Sequence, residues 1–289
     1  MYPPQFEYIP ANSLDDVLKL LDERGEEAKI LAGGQSLIPL MKLRIARPAL
    51  VVDINRVKGL NYMNMEDGSL KIGALVRIAQ LERTKFPSQY DILRAASRQV
   101  ADPQVRNMGT VGGNAAHGDP GNDLPAVFIS LKSKYVVKSK RGTREIPAKD
   151  FYKGPFTTEL RPDEVLVEVN VPHWDGYSGG TYLKFERRTG DYAIAAVAVQ
   201  LTVDDDNRVT RAGVAFTNAG PTPLPAEEIE ESIIDKRGLE NLLTSAKNAF
   251  DKMKVNPVSD LRGPDWYKRD VMRVLLLRGI KTVYERLVR

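Results

Sequence analysis

The chain has 289 residues, 42% of them hydrophobic and 28% charged, the balance of a globular protein with a substantial core. Its net charge of +4 arises from nearly matched totals, 42 Lys+Arg against 38 Asp+Glu, which describes a mixed-sign surface and not a polyanion binder. There is no cysteine and there are only two histidines, His117 and His173, so disulfides, thiolate nucleophiles, iron–sulfur ligation and a His-based metal centre within this chain are excluded or disfavoured.

No apolar run is long enough for a membrane span. Residues 1–10 lack the basic and apolar regions of a signal peptide, and a cytoplasmic setting is expected. Residues 11–24 predict a helix, with Ser13 and Asp16 at capping-box spacing, Leu14, Val17, Leu18 and Leu21 on one face, and Gly25 as the stop. Ala28–Leu31 predicts a short strand. It runs into Leu31-Ala32-Gly33-Gly34-Gln35-Ser36-Leu37, where paired glycines let the backbone turn with positive φ and let a ligand approach the main chain. Successive N–H groups in such a turn form an anion-binding nest; an ordinary strand-to-helix connection is the plain alternative. Residues 36–43 predict a helix and 49–54 a buried strand.

Further on, 69–75 alternates like a strand after an Asp67-Gly68 turn, 90–100 and 103–108 predict helices, and a second glycine pair follows in Gly109-Thr110-Val111-Gly112-Gly113-Asn114, read as a loop. The turn-rich Asp119–Asp123 precedes a helix over 124–131 and a strand over 135–139. Val165, Val167, Val169 and Val171 alternate as a half-buried strand, and 173–180 marks a boundary. Three antiparallel strands are expected over 181–188, 193–203 and 208–217. Pro221, Pro223 and Pro225 break the chain before helices over 226–234, 239–253 and 264–288.

No Gly-x-Gly-x-x-Gly, Walker A loop, Gly-x-Ser-x-Gly elbow or His-Glu-x-x-His occurs, which disfavours a Rossmann dehydrogenase, a P-loop NTPase and the common hydrolases. What remains is two glycine-pair stretches ending in small polar residues, Ser36 on one and Thr110 and Asn114 on the other. One pyrophosphate between two facing nests is the economical reading, because charge-assisted N–H···O⁻ bonds need no Lys or Arg.

Ala-Gly-Gly-Gln-Ser-Leu at 32–37 with Thr-Val-Gly-Gly-Asn at 110–114 resembles the FAD-binding medium subunit of the molybdenum hydroxylases, the family of xanthine, carbon monoxide and aldehyde or glyceraldehyde dehydrogenases. The resemblance continues through 119–125, Leu160–Leu166 and Lys184–Ala193, over essentially the whole chain. It implies an α+β architecture: a two-subdomain FAD-binding fold of the vanillyl-alcohol-oxidase (PCMH) type plus a C-terminal domain of three antiparallel strands and three helices. The corresponding boundaries are 1–56, 57–175 and 176–289.

The resemblance assigns Leu31, Ala32, Gly33, Gly34, Gln35, Ser36 and Leu37 to the FAD pyrophosphate and ribityl chain, with Thr110, Gly112, Gly113 and Asn114 completing the clamp. It matches Asp123 to a carboxylate near the ribityl and flavin polar atoms (a helix N-cap otherwise). Leu166 matches an apolar residue on the isoalloxazine (plain core otherwise), Lys184 a cation near its pyrimidine end, and Tyr192 an aromatic beside its reactive edge. Gln35 stands where some relatives have His. FAD is expected to be non-covalent, His117 notwithstanding. No catalytic or metal-binding residue is assigned to this chain. The resemblance implies that the molybdenum cofactor belongs to a large partner subunit and two [2Fe–2S] clusters to a small one, in a heterotrimer that can pair as a dimer of heterotrimers. Electrons then reach FAD here and leave to an external acceptor. The expected substrate of the whole enzyme is an aldehyde such as glyceraldehyde, with carbon monoxide as the alternative and a stand-alone flavin oxidoreductase further behind.

Overall fold

The computed structural model describes residues 2–288. The first layer is a parallel three-stranded sheet. Strand β1 (Glu7–Pro10) precedes helix α1 (Leu14–Arg24), β2 (Ala28–Leu31), helix α2 (Leu37–Lys42) and β3 (Leu50–Asp53), and the sheet order is β1-β3-β2. Leu50, Val51 and Val52 sit at its centre, and β-branched residues fit a strand covered on both faces. Helix α1 begins with the reciprocal Ser13–Asp16 capping box and buries Val17, Leu18 and Leu21.

The second layer starts with the hairpin β4 (Met63–Glu66) and β5 (Ser69–Gly73). Five short helices follow: α3 (Ile78–Arg83), α4 (Asp91–Ser97), α5 (Pro103–Met108), α6 (Val111–His117) and α7 (Asp123–Ser130). Strands β6 (Lys134–Ser139) and β7 (Gly142–Pro147), the small pair β8 (Tyr152–Gly154) and β9 (Thr157–Thr158), and β10 (Val165–Val171) complete it. The main antiparallel sheet runs β4-β5-β10-β6-β7. The predicted alternation in β10 appears as burial of Val165, Val167, Val169 and Val171, and Leu166 is buried as well.

The last layer is antiparallel: β11 (Tyr177–Phe185), β12 (Ala195–Val203), β13 (Val209–Thr217) and a two-residue edge strand β14 (Leu224–Pro225), covered by α8 (Glu227–Ile233), α9 (Leu239–Lys252) and α10 (Asp265–Leu287). All nine residues of β12 are buried, because the strand is central in its sheet and Gly279 of α10 brings that helix onto Val197 and Val199. The opposite face meets α7. The Ser130 carbonyl lies so close to Gly213 of β13 that a Cβ there would sit 1.8 Å from it, so only glycine permits this contact. Phe216 and Phe250 pair at 5.6 Å between β13 and α9, a contact of about 0.5–1.5 kcal/mol beyond their buried area.

Several elements depart from the sequence reading. Strand β11 begins at Tyr177, inside the stretch read as a boundary, because Gly179 and Gly180 are ladder residues paired with Leu201 and Gln200. Residues 224–225 form an edge strand despite Pro225, which sits where no outer ladder partner is needed. The second glycine pair is not a loop: Thr110 is an N-cap and Gly112 and Gly113 form the first turn of α6. Strands β1, β4, β7, β8 and β9 and helix α3 were not anticipated.

Candidate functional site

The first glycine loop leaves the end of β2, where Asn55 holds the Ala32 carbonyl through its side-chain amide at 2.8 Å. Gly34 turns the chain with φ +72°, and Gln35 folds back to donate to the Gly33 carbonyl at 3.1 Å. Gly33 lies directly on the Met108–Gly109 backbone; a Cβ would stand 2.4 Å from the Met108 oxygen. Among the described residues the N–H groups of Gly34, Gln35, Ser36 and Leu37 find no acceptor within the chain. Four successive free donors at a glycine turn entering α2 form a nest of the kind that holds a phosphate oxygen.

The second stretch is built differently. The Val111 N–H donates to the Val76 carbonyl and the Gly112 N–H to the Ala74 carbonyl, both at 2.9 Å. The Gly113 N–H is capped by Thr110 Oγ1 at 3.1 Å and the Asn114 N–H bonds the Thr110 carbonyl. The expectation of two facing nests is therefore corrected: α6 spends its N–H groups on its own neighbours. Gly113 is nevertheless exposed, and a Cβ on it would lie 3.9 Å from that of Ala32. Asn114 Oδ1 is buried and has no hydrogen-bond partner. An orphaned polar atom beside an open glycine and four free amides marks a place for a polar ligand.

Two residues that sequence reasoning missed fasten these stretches together. The Arg77 guanidinium donates to Asn55 Oδ1 at 2.8 Å and also to the Met108 carbonyl. Partial desolvation lowers its pKa. Asn55, two residues beyond a buried strand, carries a weak signal as a polar residue at a strand's end; Arg77 carries none.

Asp123, Lys184 and Tyr192 gather near the start of α7, which is tied to α6 where the Asn122 side chain donates to the Asn114 carbonyl at 2.9 Å. Asp123 does not cap α7; Asn122 occupies the N-cap position. Its carboxylate instead accepts from the Tyr182 hydroxyl at 2.8 Å and pairs with Lys184 Nζ at 3.3 Å. Burial dominates and pushes Asp123 up to about 6, against the lowering effect of Lys184. Tyr192 is 41% exposed, with its ring edge against Gly121 and the Arg262 guanidinium 5.8 Å from its centroid. Desolvation of the phenol and then the charge of Asp119 push it up to about 12. Leu166 is buried in the core on β10. The His117 ring packs on Phe156 at 5.2 Å, and its burial lowers its pKa. No group of metal-ligating side chains occurs among the described residues.

The FAD binding domain in molybdopterin dehydrogenase matches residues 4–174, and the CO dehydrogenase flavoprotein C-terminal domain matches residues 180–283. The chain is 39% identical to the glyceraldehyde dehydrogenase medium chain of Sulfolobus acidocaldarius, over 98% of this chain and all of that one. It is 37% identical to the carbon monoxide dehydrogenase medium chain of Hydrogenophaga pseudoflava, over 99% of each chain. The solved carbon monoxide dehydrogenase structure from H. pseudoflava superposes with a TM-score of 0.95 at 37% identity, covering both chains fully. Quinoline 2-oxidoreductase from Pseudomonas putida 86 does so at 0.90 and 29%, again over both full chains.

Proposed function

We propose, for a chain that belongs to the FAD-binding medium subunits of the molybdenum hydroxylase family, that the nest at Gly34–Leu37 and the open face at Gly113–Asn114 hold the FAD pyrophosphate and ribityl chain. The observation that carries this is the abutment of Gly33 on Met108–Gly109, which brings the loop with four free amides against the segment leading into α6, the helix that holds the orphaned Asn114 Oδ1. The Thr110 hydroxyl retains a proton to donate while its oxygen caps Gly113. Ala32 shapes the floor, Leu31 and Leu37 anchor the loop ends, and Gln35 and Gly112 hold the turns. Asp123, Lys184 and Tyr192 form the polar end of the site and Leu166 its apolar wall. The division at 1–56, 57–175 and 176–289 belongs to the same reading, with the cofactor between the first two parts.

Bound FAD supplies one-electron exchange on one side and two-electron delivery on the other; this chain supplies position and electrostatics. The protein is thus the flavoprotein subunit of a molybdenum-containing oxidoreductase. In this reading a large subunit with molybdenum cofactor and a small subunit with two [2Fe–2S] clusters complete a cytoplasmic heterotrimer, two of which can pair as a dimer, and electrons pass through FAD to an external acceptor. A chain without cysteine needs such a partner to carry iron–sulfur clusters. Non-covalent FAD is favoured because His117 is packed on Phe156. Among the described residues no helix is long and apolar enough to cross a membrane.

The substrate of the whole enzyme is proposed to be an aldehyde such as glyceraldehyde, on the 39% identity to the S. acidocaldarius chain. Carbon monoxide is the second reading, on identities of 37% and 38% to two carbon monoxide dehydrogenase medium chains. Purification from the native source tests the whole: copurifying molybdenum and iron subunits with aldehyde-dependent dye reduction is the expected result. A chain that purifies alone, colourless and unable to take up FAD would defeat the assignment. Acid precipitation that leaves the flavin in the supernatant checks the non-covalent attachment.

A further inference from the structure

Lys184 has a side chain only 1% exposed, and it is shared by two carboxylates. Asp123 lies 3.3 Å from Nζ, Glu186 lies 3.1 Å from it, and the Gln99 carbonyl accepts from the same ammonium at 2.9 Å. Glu186 Oε2 is buried and meets Lys184 by charge alone, without hydrogen-bond geometry. Around Asp123 stand the Tyr182 hydroxyl, itself 3.2 Å from Thr217 Oγ1, and the phenol of Tyr192, which feels the Asp123 charge and that of Asp119. Among the described residues Lys184 is the one cation in direct contact with either carboxylate. With all three groups ionised, the cluster carries one excess negative charge that is largely screened from water at the Asp123 end, a costly state that taking up a proton relieves.

We propose that Asp123 and Glu186, sharing Lys184, hold one exchangeable proton between them, and that Asp123 takes it up when the cofactor is reduced and releases it on reoxidation. The coupling to FAD rests on the site reading above. When an electron from the reduced iron–sulfur partner, or from dithionite in the test, adds negative charge nearby, a solvent proton moves onto a carboxylate oxygen of Asp123. One O–H bond forms, no bond to carbon breaks, and the proton returns to solvent when the electron leaves. Asp123 is the deeper carboxylate, with 8% of its side chain exposed against 20% for Glu186. Burial already holds it up to about 6, where a modest change of local field moves a proton. Glu186 raises Asp123 through its like charge, which makes it a positioning residue for that proton.

The test is infrared difference spectroscopy of the carboxyl stretch in the purified complex, reduced minus oxidised, in H₂O and D₂O. A protonated-carboxyl band that grows on reduction, shifts in D₂O and vanishes in Asp123→Asn is expected. Glu186→Gln keeps a neutral Asp123–Lys184 pair, and the band should then titrate at lower pH, since a like charge has been removed. If FAD is bound but reduction leaves the carboxyl region unchanged, or the band persists in Asp123→Asn, the coupling is wrong. An unshifted midpoint in Glu186→Gln overturns the sharing. Wild-type protein that takes up no FAD defeats the site reading instead, while the pH titration of the carboxyl band in that protein still decides whether the pair holds a proton.

Discussion

Arg77 and Asn55 lie 22 residues apart in the chain and 2.8 Å apart in space, guanidinium to side-chain oxygen. Through this contact the end of the parallel sheet, the first glycine loop and the end of α5 become one unit: Asn55 grips the Ala32 carbonyl, and Arg77 also grips that of Met108.

Asn55→Ala and Arg77→Ala should therefore loosen the cofactor loop before they unfold the protein. Each leaves a carbonyl without its donor, at about 1–3 kcal/mol. The expected outcome is at least about a tenfold loss of FAD affinity, since 1.4 kcal/mol is a factor of ten, with the circular dichroism spectrum retained. Arg77→Lys should not rescue, because an ammonium cannot reproduce the planar two-way contact. Equilibrium FAD titration of the three variants checks this, and wild-type affinity in both alanine variants would contradict it.

Gly33 and Gly113 should respond unequally to alanine in stability. At Gly33 the new Cβ would meet the Met108 carbonyl, part of a backbone that cannot give way, and overpacking of this kind costs about 1–3 kcal/mol. At Gly113 the nearest atom is the Thr110 hydroxyl, whose rotation would give up its cap on α6 at about 0.5–2 kcal/mol, offset by the ~0.5–1 kcal/mol that helical alanine regains over glycine. Thermal melting should fall clearly for Gly33→Ala and stay within a few degrees for Gly113→Ala. FAD binding should fall in both, because the Gly113 methyl enters the space facing Ala32.

The pH dependence of stability should carry two opposite slopes. Asp123 is raised from 3.8 to about 6, so the folded state binds its proton more tightly than the unfolded chain. Its stabilisation is complete below the unfolded pKa and is lost as pH rises through the folded one. Glu164, held by both nitrogens of the Arg144 fork at 2.8 Å, is lowered from 4.5 by those bonds despite its burial. Its contribution is present above the unfolded pKa and disappears as pH falls through the folded one. Melting curves of Asp123→Asn should therefore lose the decline between about pH 4 and 6, and those of Arg144→Ala should lose stability from about pH 4.5 upward. Identical profiles for wild type and Asp123→Asn would refute the assignment.

Much of the framework was legible in the sequence because it is local. The Ser13–Asp16 box, the β10 valine alternation and the three terminal helices are written in propensity and periodicity, and these survive packing. The glycine pairs were also legible as sites of close approach. Their mechanism was not: whether Gly112 and Gly113 stand in a loop or a helix depends on Ala74 and Val76 arriving to accept their neighbours' N–H groups. Asp123 read equally well as a cap, because its alternative partner lies 61 residues away on β11.

The sequence by itself determined where glycine pairs let the backbone be closely approached, and that this chain could ligate no iron–sulfur cluster of its own, having no cysteine. Those are properties of residue type and local conformation. Only the tertiary structure decided that the free amides lie on one side alone, that Asn55 and Arg77 lock the loops, and that two carboxylates converge on Lys184. Such pairings are set by the register of sheets and the approach of helices, where a rotation by one residue turns a partner toward the solvent.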